Sequence, residues 1–194
     1  MITNPVWQWV FSVVFVAIAG YLAWRAVADR RRPLQTIGDV LHLLMALVMA
    51  AMAWPWWYSL PWLAQLIIFA FSTLWFLAVG LGQWLGRFEP EQLGCHPAWH
   101  QLVHALMMGA MTWMVAVMPP GHGGHGEHAM HTMGTTATVL GIVATALLFV
   151  AAVVQLVDAA PELRRRGLTR HVVDSLVMVV MLIGMGAMCW LMIF

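Results

Sequence analysis

Apolar residues run through this chain in long stretches, separated by short polar clusters. A helix needs about 20 consecutive apolar residues to cross the hydrocarbon core of a bilayer. Six segments approach or exceed that length: Pro5–Ala28, Asp39–Trp57, Pro61–Gly86, Trp99–Met118, Thr135–Asp158 and His171–Phe194. The pattern predicts an all-α integral membrane protein with six transmembrane helices. The connections are short, so residues 1–194 are expected to form a single membrane domain, with residues 119–134 as its one distinctive loop. No basic residue precedes the first stretch. It therefore does not resemble a secretory signal peptide and is expected to stay as a helix.

Composition sharpens this picture. The chain is 62% hydrophobic and 9% charged, which excludes a soluble globular domain. There is no lysine, and the nine arginines are Arg25, Arg30, Arg31, Arg32, Arg87, Arg164, Arg165, Arg166 and Arg170. All fall in or beside the first, third or fifth connection. The positive-inside rule puts those connections in the cytoplasm, with both termini and the loop 119–134 extracytoplasmic. The expected location is the cell membrane. Trp7, Trp9, Trp54, Trp56, Trp57 and Trp62 then form an outer aromatic belt, and Trp24, Trp84 and Trp99 lie near the inner face. A net charge of +1 carries no nucleic-acid footprint.

The spans group as three out-in-out hairpins. His42 and His104 are 62 residues apart, as are Arg25 and Arg87, and Gly20 and Gly82; His104 and His171 are 67 apart. This spacing suggests three two-helix repeats.

The repeats have chemistry in common. Every methionine within the spans lies on the second, fourth or sixth. His42, Met45, Met49 and Met52 stand at steps 0, +3, +7 and +10, and His104, Met107, Met111 and Met114 repeat those steps. His171, Asp174, Met178 and Met181 repeat them again with Asp174 in place of the first methionine. On a helix these steps occupy an arc of about 80° over about 15 Å of rise. If the three helices pack together, the ladders form layers: Met45, Met107 and Asp174; Met49, Met111 and Met178; Met52, Met114 and Met181. Thioethers favour Cu(I), and a histidine inside a membrane is costly unless it has a use. Heptad spacing is also the ordinary seam of packed helices, and methionine is an adaptable filler. Both readings stand at this level.

A second cluster lies at the cytoplasmic ends of the same spans: Asp39 and His42, then Cys95, His96, His100 and His104, then His171 and Asp174. Asp39 is placed to orient His42, and Asp174 to orient His171, as carboxylate partners of ligating imidazoles. The alternative is a set of headgroup-level groups, hydrated or paired with arginine. Cys95 and Cys189 fall on opposite sides of the membrane and are not expected to pair, and Cys189 is expected to be a small core residue.

The outer loop is the third signal. His122, His125, His128 and His131 recur every third residue among glycines, flanked by Met118, Met130 and Met133. Such tracts wrap cations with little selectivity, and the thioethers shift preference toward copper. Against this stands a low-complexity linker that happens to be His-rich. The chain has no phosphate-binding loop, no nucleophile elbow and no Cys-x2-Cys pair.

The segment Leu41–Pro55, with His42, Met45, Met49, Met52 and Trp54-Pro55, resembles actinobacterial multi-pass membrane proteins whose shared domain has no assigned activity. Met45-x3-Met49, Met107-x3-Met111 and Met181-x3-Met185 are also similar, as a pattern, to the Met-x3-Met of trimeric copper transporters. That likeness implies stacked methionine layers with histidine on the cytoplasmic side. The chain departs from it in having six spans, in lacking a Gly-x3-Gly (Gly184-Met185-Gly186 stands instead), and in the shifted third Met-x3-Met.

The expected function is therefore Cu(I) binding by Met layers on three helices, for transport, buffering or delivery, and more a binding protein than an enzyme. Three alternatives remain: a membrane-embedded zinc hydrolase using the inner His/Asp cluster, a b-type haem protein with axial histidines, and a structural or assembly subunit without a cofactor. Lipid and a metal ion are the expected partners, together with a homo-oligomer or membrane complex.

Overall fold

The computed structural model describes residues 5–28, 33–87, 98–117, 134–167 and 169–193. These residues are helical, with no strand among them. The elements are α1 (Pro5–Ala28), α2 (Pro33–Met52), a short 3-10 turn (Pro55–Ser59), α3 (Trp62–Trp84), α4 (Ala98–Val117), α5 (Thr135–Arg166) and α6 (Arg170–Ile193). Five of the six helices are long and apolar enough to cross a membrane: α1, α2, α3, α5 and α6. At 20 residues α4 has the length. His100, Gln101, His104 and Thr112 make it the polar member of the set. The protein is thus a membrane protein by composition and helix length.

Consecutive helices pack most closely on each other: α1 on α2, α3 on α4, and α5 on α6. The chain divides into two compact units, Met1–Gly123 and Gly124–Phe194. The first holds two of the hairpins and the second holds one.

Helix ends depart from the apolar stretches for local reasons. The second stretch was expected to continue to Trp57, but α2 stops at Met52. Trp54 is extended (φ −112°, ψ 147°), as the ring of a following proline requires of its neighbour, and Pro55 opens the 3-10 turn. At its other end α2 begins at Pro33, six residues before Asp39, because proline is tolerated in a first helical turn. The fifth helix runs eight residues past Asp158, and its 32 residues rise about 48 Å, well beyond a hydrocarbon core of about 30 Å. The extension bears Glu162, Arg164 and Arg165. It ends at Gly167, whose φ of 71° suits glycine and whose N–H donates to the Leu163 carbonyl at 3.0 Å.

In the first unit, three tryptophans tie one end together. Trp54 Nε1 donates to Ser12 Oγ at 2.7 Å, joining α2 to α1, and the Trp9 and Trp54 rings meet edge to face at 5.2 Å. Trp57 Nε1 donates to Gln65 Oε1 at 3.1 Å, and Trp62 Nε1 donates to the Val115 carbonyl at 2.7 Å. The expected aromatic belt is thus two populations. Trp7, Trp9 and Trp56 are exposed, whereas Trp57 is buried and acts as a clamp. Burying an indole requires a partner for its N–H, and Gln65 supplies it.

In the second unit α5 and α6 approach closely where Gly186 faces Phe149. A methyl group at Gly186 would stand 3.1 Å from that ring. Cys189, expected in the core, is fully buried beside Thr145.

Candidate functional site

The opposite end of the first unit carries the charged and imidazole groups. Asp39 and His42 lie one turn apart on α2, so they share a face. Asp39 forms an ion pair with Arg25 at the end of α1, and both side chains are largely buried. Asp39 was expected to orient His42. Instead, the His42 Nδ1 lies 2.7 Å from the Gly38 carbonyl, four residues back on the same helix. A carbonyl can only accept, so Nδ1 carries the proton and donates. The lone pair then lies on Nε2. His42 is 3% exposed, and its Nε2 is buried with no hydrogen-bond partner among the described residues.

His104 of α4 faces His42, with ring centroids 4.6 Å apart and planes at 73°. Phe76 of α3 completes a triangle, 5.3 Å from His42 and 5.2 Å from His104. Phe76 is 4% exposed and walls the pair. Nothing in its sequence context singles it out, since α3 carries many aromatic and aliphatic residues; only the packing of α3 reveals it. His100 lies one turn before His104 and stacks on Trp99 at 4.0 Å.

The two methionine ladders continue from this pair. Met45, Met49, Met107, Met111 and Met114 have no exposed surface, and Met52 is buried at the far end of α2. Each set shares its helix face with the histidine at its head, and those histidines touch. The contact between α2 and α4 is thus the imidazole pair, and the thioethers are buried on the helix faces that the two histidines head. Met108, which the spacing passes over, is also fully buried. Thr112 of α4 instead looks toward α3, its hydroxyl 3.5 Å from that of Thr73.

The third ladder, in the other unit, has a different setting. His171 is about half exposed, and its Nδ1 lies 3.2 Å from Glu162 Oε2 on α5. Asp174 and Met178 are half buried. Met181 is fully buried, and the buried methionines continue to Met185 and Met188. The buried face of α6 starts with Val172, Ser175 and Val179, each one position after a member of the expected ladder, which meets it only at Met181. His122, His125, His128 and His131, with Met118, Met130, Met133, Cys95 and His96, lie outside the described residues. Among the described residues, no three His, Cys, Asp or Glu side chains gather in a metal-holding arrangement.

The chain belongs to the family described as Domain of unknown function (DUF5134), whose model matches residues 34–192. It is similar to uncharacterized proteins of Mycobacterium bovis and Mycobacterium tuberculosis, 32% identical over 120 residues, covering 62% of this chain and 53% of each relative. The chain spans about half the length of the curated relatives it matches. These relatives agree with the actinobacterial likeness carried by Leu41–Pro55. No solved structure matches.

Proposed function

We propose that this protein binds Cu(I) in the seam between α2 and α4, with His42 and His104 at its head and the methionine ladders below them. The observation that carries this reading is the His42 imidazole. Its Nδ1–H is committed to the Gly38 carbonyl and its Nε2 lone pair is buried with no donor among the described residues. Ligating histidines have this arrangement, with one nitrogen anchored to a backbone carbonyl or carboxylate and the other presented to a metal.

The donor set selects the ion. A catalytic zinc takes three protein ligands from His, Asp, Glu or Cys, and no such trio gathers among the described residues. Two imidazoles followed by thioethers suit Cu(I). With metal–nitrogen bonds of about 2.0–2.1 Å, rings 4.6 Å apart can share one ion. A haem held between them would need the rings further apart, on opposite faces of the iron.

In this reading the six helices all span the cell membrane as three two-helix repeats, with both termini outside. The outer loop, with His122, His125, His128 and His131, gathers copper and the α2–α4 seam buffers or passes it. Support for inward-facing even helices comes from burial. The apolar windows of α2 and α6 are 44% buried, against 28% in α1, α3 and α5.

The test is copper content and Cu(I) affinity of detergent-purified protein in which the four loop histidines are alanine. One copper per chain, lost in His42→Leu and kept in His171→Leu, is expected. Equal affinity in His42→Leu would overturn the site. Absence of copper binding would leave a structural subunit.

A further inference from the structure

Away from the histidine pair, α3 carries a groove of about 340 Å³. That volume falls within the range of small-molecule sites, about 300–1,000 Å³. Trp75, Val79, Leu85 and Leu34 of α2 wall it, and Arg87 is the one charged residue lining it. Ala78 and Gly82 also line it, three and seven residues after Trp75 and on the same face of α3. Their small size opens the groove.

Arg87 is pinned at the rim. Its N–H donates to the Gly82 carbonyl at 2.8 Å, and the Gly86 N–H donates to Gln83 at 3.1 Å. This six-to-one and five-to-two pair closes α3, with Gly86 at φ 68°. These bonds occupy carbonyls at the helix end that would otherwise repel an anion. The Arg87 side chain is exposed and has no acidic partner among the described residues. From Trp75 to Trp84 the helix rises about 14 Å, and Arg87 follows in its closing turn. One leaflet of hydrocarbon is about 15 Å deep.

We propose that this groove binds an anionic phospholipid, with its phosphate on Arg87 and one acyl chain lying over Gly82 and Ala78 toward Trp75. Depth, apolar walls and a single cation at the headgroup level match that occupant. Basic pockets between membrane helices hold anionic headgroups in this way. Glu89 and Glu91 follow within four residues of Arg87, so the preference is moderate.

Native mass spectrometry of the metal-free full chain, titrated with phosphatidylglycerol or phosphatidylcholine, tests the site. The wild type should retain phosphatidylglycerol about fivefold better, the factor one interfacial arginine contributes. Arg87→Gln should bring the ratio to about one, and Arg87→Lys should keep most of it. Gly82→Leu should lower retention of both lipids by adding bulk to the groove lining. Arg164→Gln, at the exposed end of α5, should leave the ratio unchanged. An unaltered ratio in Arg87→Gln, an equal loss in Arg164→Gln, or no preference in the wild type would overturn the proposal. The outcome is independent of copper.

Discussion

His42 and His171 head the same sequence ladder but sit in opposite settings. His42 is buried on α2, anchored through one nitrogen and facing His104, with Phe76 beside both rings. His171 is half exposed on α6 beside Glu162. The side-chain pairs at these ends differ likewise. Arg25–Asp39 is largely buried, and His171–Glu162 is largely open. Identical spacing places a side chain on a helix face. It does not say what that face meets, and the chemistry of an imidazole depends on what it meets.

The largest expected contrast is in the ion pairs. Arg25→Leu leaves Asp39 buried without its counter-ion, which costs about 3–5 kcal/mol. Thermal unfolding in detergent should show a marked loss, and Arg25→Leu with Asp39→Leu should recover most of it. A single variant as stable as the wild type would show that water reaches Asp39.

Copper affinity sharpens the comparison next. Losing even a ligand's supporting hydrogen bond costs about 10–100-fold. His42→Leu should therefore weaken Cu(I) binding at least about a hundredfold in chelator competition, and His171→Leu less than about threefold. Equal losses would erase the contrast between the two histidines.

The thioethers contribute less singly. Met49→Leu with Met111→Leu should weaken Cu(I) by about tenfold, or about 1.4 kcal/mol. Stability should change by less than about 1.5 kcal/mol, since the swap conserves volume. Met178→Leu should change neither. Unaltered copper affinity in the double variant would return the ladder to packing.

The smallest effect is expected at the open pair. Glu162→Gln removes the carboxylate beside His171, where the side chains are 32% and 52% exposed, and even fully charged exposed pairs are worth about 0–1 kcal/mol. A loss near that of Arg25→Leu would show His171 to be buried in the working protein.

Much of this architecture is legible along the chain. The apolar stretches predict the helices because a membrane-length helix is a local property, satisfied by its own hydrogen bonds. Pro55 and Gly167 mark helix ends because proline and glycine act on their own backbone neighbourhood. The ladder steps put His42 with Met45, and His104 with Met107, because helical geometry is fixed. The partner of Asp39 was not legible. Arg25 and His42 were both plausible, and the choice depends on how α1 lies against α2. Nor was the burial of Trp57, which needed Gln65 across a turn.

Residue order thus determined by itself the all-helical membrane character, the hairpin pairing of neighbours and the face on which each histidine and methionine stands. Tertiary structure alone decided that His42 meets His104 against Phe76 while His171 stays open beside Glu162. The reason is physical: spacing sets direction within one helix, but burial and partners come from helices distant in the chain, whose approach no local pattern encodes.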